Sequence, residues 1–367
     1  MLSRFARPSS SFSIRHLAII LLAVTAWQLC QAQASGQIEH WRKRAEAGYL
    51  PEQMKLAHAF QSGIGVPRNA SQAAYWALKA ANQGDPWAQT DLGFAYLNGT
   101  GVQADPREAF KWFQRAALAN YPPAENDLAV LLASGIGVQQ DASEGVRWMR
   151  KAAESDLVAA QLHLGIFYLR GIGLDRDEKQ ALAWIQKAAK KHYPQAEFLM
   201  GQMHEQGTVV ACDIGRAVHW YSRAADHGFA AGKNALGALY ETGKGVVQDK
   251  PAALHWYQLA AEQGDPEALL NLTRLYSVDG IADRAYFWGS IAIHNGSHLQ
   301  ALADVVGNLR VHLSNADASR VDAEVANWLQ IHPIRQSDEI DFTFTPQPKV
   351  GEDSFPTTTS IAKRLVF

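Results

Sequence analysis

The stretch YLNGTGVQADPREAFKWFQRAA, Tyr96–Ala117, holds two glycines, an Asp-Pro pair, one tryptophan and an alanine pair in that order. The order recurs. Tryptophan stands at Trp76, Trp112, Trp148, Trp184, Trp220 and Trp256, and Gly63, Gly99, Gly135, Gly171, Gly207 and Gly243 keep the same spacing of 36 residues. A second glycine follows at Gly65, Gly101, Gly137, Gly173 and Gly245, with Val209 as the one departure. An Asp or Asn returns at Asn69, Asp105, Asp141, Asp177, Asp213 and Asp249, and alanine pairs run from Ala80-Ala81 to Ala260-Ala261. Six copies in phase identify a repeat protein before any other property is weighed.

Each copy reads as two helices. In the second, Asp85-Pro86 can cap and start helix A, whose apolar residues Ala88, Leu92, Ala95 and Tyr96 fall on one helical face. Gly99 ends it, because glycine takes left-handed backbone at little steric cost. Asp105 then caps helix B with Pro106 in the first turn, and Glu108, three residues on, predicts a capping box. Ala109, Trp112 and Ala116 share a stripe, which makes the tryptophan a packing residue filling the gap beside small neighbours.

A two-helix unit cannot bury its apolar face alone, so the copies must stack. The predicted fold is all-α, a superhelical solenoid of 36-residue helix-turn-helix repeats with a C-terminal helical cap. The G-x-G-V turn, D-x-x-x-A, W and A-A at this period resemble the Sel-one-like repeat (SLR), a relative of the tetratricopeptide repeat. The expected organisation is a secretory signal peptide over 1–34, a lead-in helix over 35–44, and seven repeats over 45–296. A helical cap follows over 297–332 and a disordered tail over 333–367. The seventh repeat is shortened, since Trp288 arrives four residues before the expected position 292. Ser314 or Asn315 would cap a closing helix of the kind that ends many SLR arrays.

Lys plus Arg total 34 against 36 Asp plus Glu, a net charge of −2, so the basic field of a nucleic-acid binder is missing. Arg4, Arg7 and Arg15 precede the apolar run LAIILLAVTAW, and Ala32 and Ala34 stand as a signal peptidase requires. Cleavage after Ala34 predicts a periplasmic or secreted protein, with a signal anchor in the inner membrane as the alternative. It also removes Cys30 and leaves Cys212 without an intramolecular disulfide partner.

No H-E-x-x-H, Walker loop, G-x-S-x-G or C-x-x-C occurs in the mature chain. The S-x-x-K match at Ser360–Lys363 lies in the expected tail, where nothing would hold a nucleophile in place. The cysteine pairs of SLR members discussed as β-lactamase-like are missing. The expectation is therefore a non-enzymatic protein with no cofactor and no metal; His219 and His255 stand one repeat apart, too far for one ion. Four N-x-S/T sequons occur, at Asn69, Asn98, Asn271 and Asn295; Asn69 stands in a cap slot and Asn98 beside the turn glycine, so local structure accounts for these two.

Solenoids of this kind bind along the concave face lined by helix A. Two positions there read Lys55, Asp91, Asp127, His163 and Leu199 in one row, and His58, Phe94, Val130, Ile166, Gln202 and later Arg274 in the other. Phe94, Val130 and Ile166 predict an apolar strip beside the carboxylates of Asp91 and Asp127. The expected partner is a peptide segment of another envelope or secreted protein. Peptidoglycan or an exopolysaccharide is the alternative, with Trp87 and Asp91 as the contact pair, and hydrolysis is the third class. An exposed Trp87 would favour a glycan, and a continuous apolar strip a protein. Exported SLR proteins commonly act as scaffolds, which agrees with an adaptor or regulator.

Overall fold

The computed structural model describes residues 36–296 and 300–332. The expected signal peptide and the tail after 332 lie outside the described residues. Seventeen helices and no strand occur among those described. In chain order they are α1 (36–46), α2 (Leu50–Ser62), α3 (Ala70–Ala81), α4 (Pro86–Asn98), α5 (Pro106–Leu118) and α6 (Pro122–Ser134). Next come α7 (Ala142–Glu154), α8 (Val158–Arg170), α9 (Glu178–Lys190), α10 (Pro194–Gln206), α11 (Ile214–Asp226) and α12 (Ala230–Thr242). The chain closes with α13 (Lys250–Ala261), α14 (Pro266–Val278), α15 (Ala282–His294), α16 (Gln300–His312) and α17 (Asn315–Ile331). Even-numbered helices from α2 to α14 are helix A of a repeat, and the odd-numbered helices after them are helix B.

Two compact units are present, one up to Ala124 together with Ile136–Val138, the other formed by Glu125–Gly135 and the residues from Gln139 on. In the first, α2, α3, α4 and α5 pack successively on one another. In the second, the same neighbour-on-neighbour packing runs from α7 to α15, and α16 and α17 both pack on α15.

The caps follow the sequence closely. Asn69, Asp105, Asp141, Asp177, Asp213 and Asp249 each accept a backbone N–H of the helix B that they precede. The capping box does not form. Glu108 pairs with Lys111 at 2.6 Å, and the Asp105 N–H donates instead to the Tyr96 carbonyl at 2.8 Å. The same bond links Asn69 to Phe60, Asp177 to Tyr168, Asp213 to His204 and Asp249 to Tyr240. A carbonyl left over at the end of helix A thus satisfies a donor left over at the start of helix B, and the glutamate is not needed.

Tryptophan shares its packing task. Trp76 and Trp112 are buried, whereas Trp148, Trp184, Trp220 and Trp256 are half-buried. Several carry a cation over the ring, such as Lys151 over Trp148 at 4.9 Å and Lys187 over Trp184 at 5.0 Å. The central core residue is the one after the tryptophan: Phe113, Met149, Ile185, Tyr221 and Tyr257 are all at most 2% exposed. Glycine on helix A makes room for it, since a Cβ at Gly201 or Gly237 would stand 2.5 or 2.6 Å from Tyr221 or Tyr257. Burying each such side chain contributes about 1.5–3 kcal/mol.

The seventh pair joins through residues 279–281, where the second repeat uses 99–105, three residues in place of seven. That deletion of four places Trp288 where it is. Beyond it, Ser314 accepts the Asp317 N–H at 3.1 Å as the cap of α17. Tyr286, Arg310 and Asp322 tie the closing helices to α15: the Tyr286 hydroxyl donates to Asp322 at 2.7 Å and Arg310 spans the same carboxylate.

Candidate functional site

The residues proposed from sequence divide into surface and interior. In the first unit, Lys55 and His58 on α2 are exposed. Lys55 Nζ lies 3.8 Å from Glu52 and 5.8 Å from the centre of the Trp41 ring. On α4, Trp87, Asp91 and Phe94 occupy one helical face at spacings of four and three. Trp87 is 47% exposed. Phe94 is half-buried and stands edge-on to Phe113 at 5.0 Å. Asp91 is half-buried and has no ion pair or hydrogen bond among the described residues. Burial, with the nearby Asp85 carboxylate as a smaller cause, pushes Asp91 up to about 6.

In the second unit the expected surface strip is absent. Val130 on α6 is 0% exposed and Ile166 on α8 is 3% exposed, so both are core residues. The spacing put them beside the helix-A stripe, but the buried surface of α6 runs without a break from Ala124 to Ala133 and that of α8 from Ala160 to Phe167, so the stripe is broad enough to include them. Asp127 and His163 are buried too. Asn126 joins them: its amide donates to Asp127 at 3.0 Å, and its carbonyl accepts His163 Nδ1–H at 2.7 Å. Burial pulls His163 down to about 4, which makes it a neutral hydrogen-bonding group at pH 7. Asn126 is a member of this network that the sequence reading missed, since an Asn inside a polar-looking helix start gives no signal.

Gln202 on α10 is half-buried, with a buried Oε1 that has no partner among the described residues. Arg274 on α14 is exposed but engaged, donating to both Glu241 oxygens at 2.7 Å. These residues do not form one strip with Val130 and Ile166. The surviving surface candidate is the α2 and α4 face of the first unit.

The chemistry available on that face is an aromatic plane, a partly dehydrated carboxylate and two basic groups. No nucleophile with a positioned base occurs there. One close grouping of metal-type donors does exist elsewhere among the described residues, His192, Glu197 and His227, and it was not legible from motif spacing.

The Sel1 repeat model matches residues 53–85, 88–121, 122–157, 158–193, 194–229 and 230–265. No curated protein matches the chain. A Sel1 repeat protein from Oxalobacter formigenes is similar in structure, at 30% identity and a TM-score of 0.57, over 65% of this chain and 96% of that one. A protective antigen of uropathogenic Escherichia coli displaying an SLR fold is similar at 27% identity and a TM-score of 0.54, over 81% of this chain. This chain spans 64% of that antigen. The six matched repeats fill more than half of the sequence, and their helix pairs, caps and glycine turns are those described above: the chain belongs to the Sel1 repeat family, helical repeat scaffolds that typically serve protein–protein interaction.

Proposed function

We propose that the protein is an exported, non-enzymatic adaptor that holds a peptide segment of another envelope or secreted protein against the helix-A face of its first unit. The observation that carries this reading is the α4 face: exposed Trp87, half-buried Phe94 and, between them, an Asp91 that lacks a cation. An aromatic anchor beside an uncompensated carboxylate fits a segment with an apolar side chain next to a Lys or Arg, whose charge would lower the cost of Asp91's burial. Lys55 and His58 on α2 extend the face for an acidic group. Export rests on the basic start, the apolar run and the A-x-A ending of residues 1–34; the N-terminal residue of the protein recovered from an envelope fraction, expected to be Ser35, tests it.

The exposure of Trp87 favours a second reading in which the face stacks on a sugar ring and Asp91 accepts its hydroxyls. Both readings meet in one experiment. Immobilised protein and a Trp87→Ala, Asp91→Asn variant, matched by circular dichroism, are exposed to envelope extract, and the affinity for the retained partner is then measured. The adaptor reading expects one protein held by the parent and bound about tenfold or more weakly by the variant, the loss of a central anchor. Equal capture by both rejects the face, and retention of glycan alone moves the function to the second reading.

A further inference from the structure

Glu197 on α10 is fully buried, at a repeat position that reads Gln53, Gln89, Glu125 and Gln161 in earlier copies. In the glutamine copies the side-chain amide donates to a backbone carbonyl: Gln53 to Ala45 at 3.0 Å, Gln89 to Ala81 at 3.1 Å, Gln161 to Ala153 at 3.2 Å. A carboxylate cannot do this, so Glu125 and Glu197 are buried anions that need a counter-charge. Glu125 is met by Lys151 Nζ at 2.7 Å. Glu197 is met by far more. Arg223 Nη2 stands 2.8 Å from its Oε1, His227 Nδ1 lies 2.6 Å from its Oε2, and His192 Nδ1 lies 3.8 Å from its Oε1.

His192 reaches this place from left-handed backbone, φ 61°, at the repeat position that is glycine at Gly48, Gly84, Gly228 and Gly264. The imidazole therefore stands where the backbone prefers no side chain, and its ring lies 5.0 Å from that of His227. One nitrogen of each histidine and a Glu197 oxygen all fall within 4.8 Å of one another. Lys151 alone meets Glu125, so two imidazoles beside Arg223 are more than the burial of Glu197 requires.

We propose that His192, Glu197 and His227 bind a divalent first-row transition-metal ion of the zinc type, with Arg223 as the competing cation. Donors about 2.0–2.2 Å from one ion at tetrahedral angles stand roughly 3.3–3.6 Å apart. One donor atom from each residue lies within 4.8 Å of the other two, so side-chain shifts of about an ångström bring the three to that spacing. Two imidazoles and one carboxylate are donors that zinc, cobalt and nickel accept, and the carboxylate offsets one of the ion's charges. Arg223 Nη2, 2.8 Å from Glu197 and 2.9 Å from His192 Nδ1, occupies the ion's place. The same Nη2 is 3.5 Å from the Ala189 carbonyl, the acceptor that a glutamine would have served, and the guanidinium lies 4.9 Å over the Trp220 ring, so an ion would have to displace Arg223 from Glu197 while these two groups stay within its reach. His192 is exposed and His227 is partly so, which leaves the outer coordination positions to water.

The test is titration of the untagged full chain with Co2+, read by its visible ligand-field bands, followed by displacement with Zn2+. The expected result is an endpoint at one equivalent in the parent, at least about tenfold weaker binding in His227→Ala and in His192→Gly, and tighter binding in Arg223→Gln. His192→Gly restores the residue that other repeats carry, so its loss of metal cannot be ascribed to misfolding. The proposal is overturned if the parent shows no one-equivalent endpoint, or if His192→Gly and His227→Ala bind as the parent does.

Discussion

The turn inside a repeat and the turn between repeats both pass through left-handed backbone, yet they treat a side chain differently. Inside the repeat, Gly101, Gly137 and Gly173 have φ of 76°, 71° and 68°, and an added Cβ would stand 2.1, 2.0 and 2.1 Å from the carbonyl oxygen of Ala70, Pro106 and Ala142. The loop is pressed against the start of the preceding helix B. Between repeats, Gly48, Gly84 and Gly228 would place a Cβ in open space, with nothing within 4 Å. There the same slot also holds Asn120, Asp156 and His192, whose φ values of 59°, 72° and 61° lie nearer the left-handed minimum than the 83° to 93° of the glycines. Left-handed backbone alone costs an L-residue about 1–2 kcal/mol, which a repeat can absorb; a collision with a neighbour's backbone it cannot.

That tolerance is where the molecule places polar chemistry. Asp156 accepts from Gln161 at 2.9 Å and pairs with Lys191, and these bonds hold its carboxyl below the usual range. His192 uses the same freedom to reach Glu197. The tight turn has one exception of its own, Val209, which is not among the residues with positive φ. Beside it lies a cleft of about 280 Å³ lined in part by His204, Val210, Cys212 and Arg216.

Substitutions at the two turns separate space from backbone. Gly173→Ala combines overpacking with unfavourable φ and should destabilise the second unit by about 2–5 kcal/mol, with amide exchange accelerated first in α7 and α8. Gly84→Ala carries only the backbone cost, about 1–2 kcal/mol by thermal unfolding. Equal damage from these two would break the comparison. Asp177→Ala removes the acceptor for the Lys179 and Gln180 N–H groups at 3.0 Å, and a loss of about 1 kcal/mol, localised to α9 by exchange, is expected. Asp156→Gly should be the smallest, with the denaturant midpoint almost unmoved, because relief of φ offsets exposed bonds of little value. A larger loss there would mean that the slot is held by its side chain and not by its backbone.

Much of the architecture could be read from the chain because each repeat states it again. Asn69 and the five aspartates that follow it mark helix starts through a local cap, and the first glycine marks helix ends through local φ, so six copies average out the noise of any one. The candidate face was less legible. Phe94, Val130 and Ile166 occupy one repeat position, and only Phe94 keeps part of its side chain at the surface. Whether a position one step off the apolar stripe is covered depends on how neighbouring helices close over it, which no periodicity records. The capping box failed for a related reason: the donor that Glu108 would have met already had the Tyr96 carbonyl.

By itself the sequence determined the all-α repeat, its period and the caps and glycines that bound its helices, because caps, glycines and apolar spacing act over a few residues. Tertiary structure alone decided that the residue after the repeat tryptophan is the central core residue from Phe113 to Tyr257, that Asn126, Asp127 and His163 are buried together, and that His192, Glu197 and His227 converge. Those outcomes depend on which groups meet from segments some 30 residues apart, as with the pairing of Glu197 and His227, and the free energy of such a meeting is set by burial and by the partner, not by either segment alone.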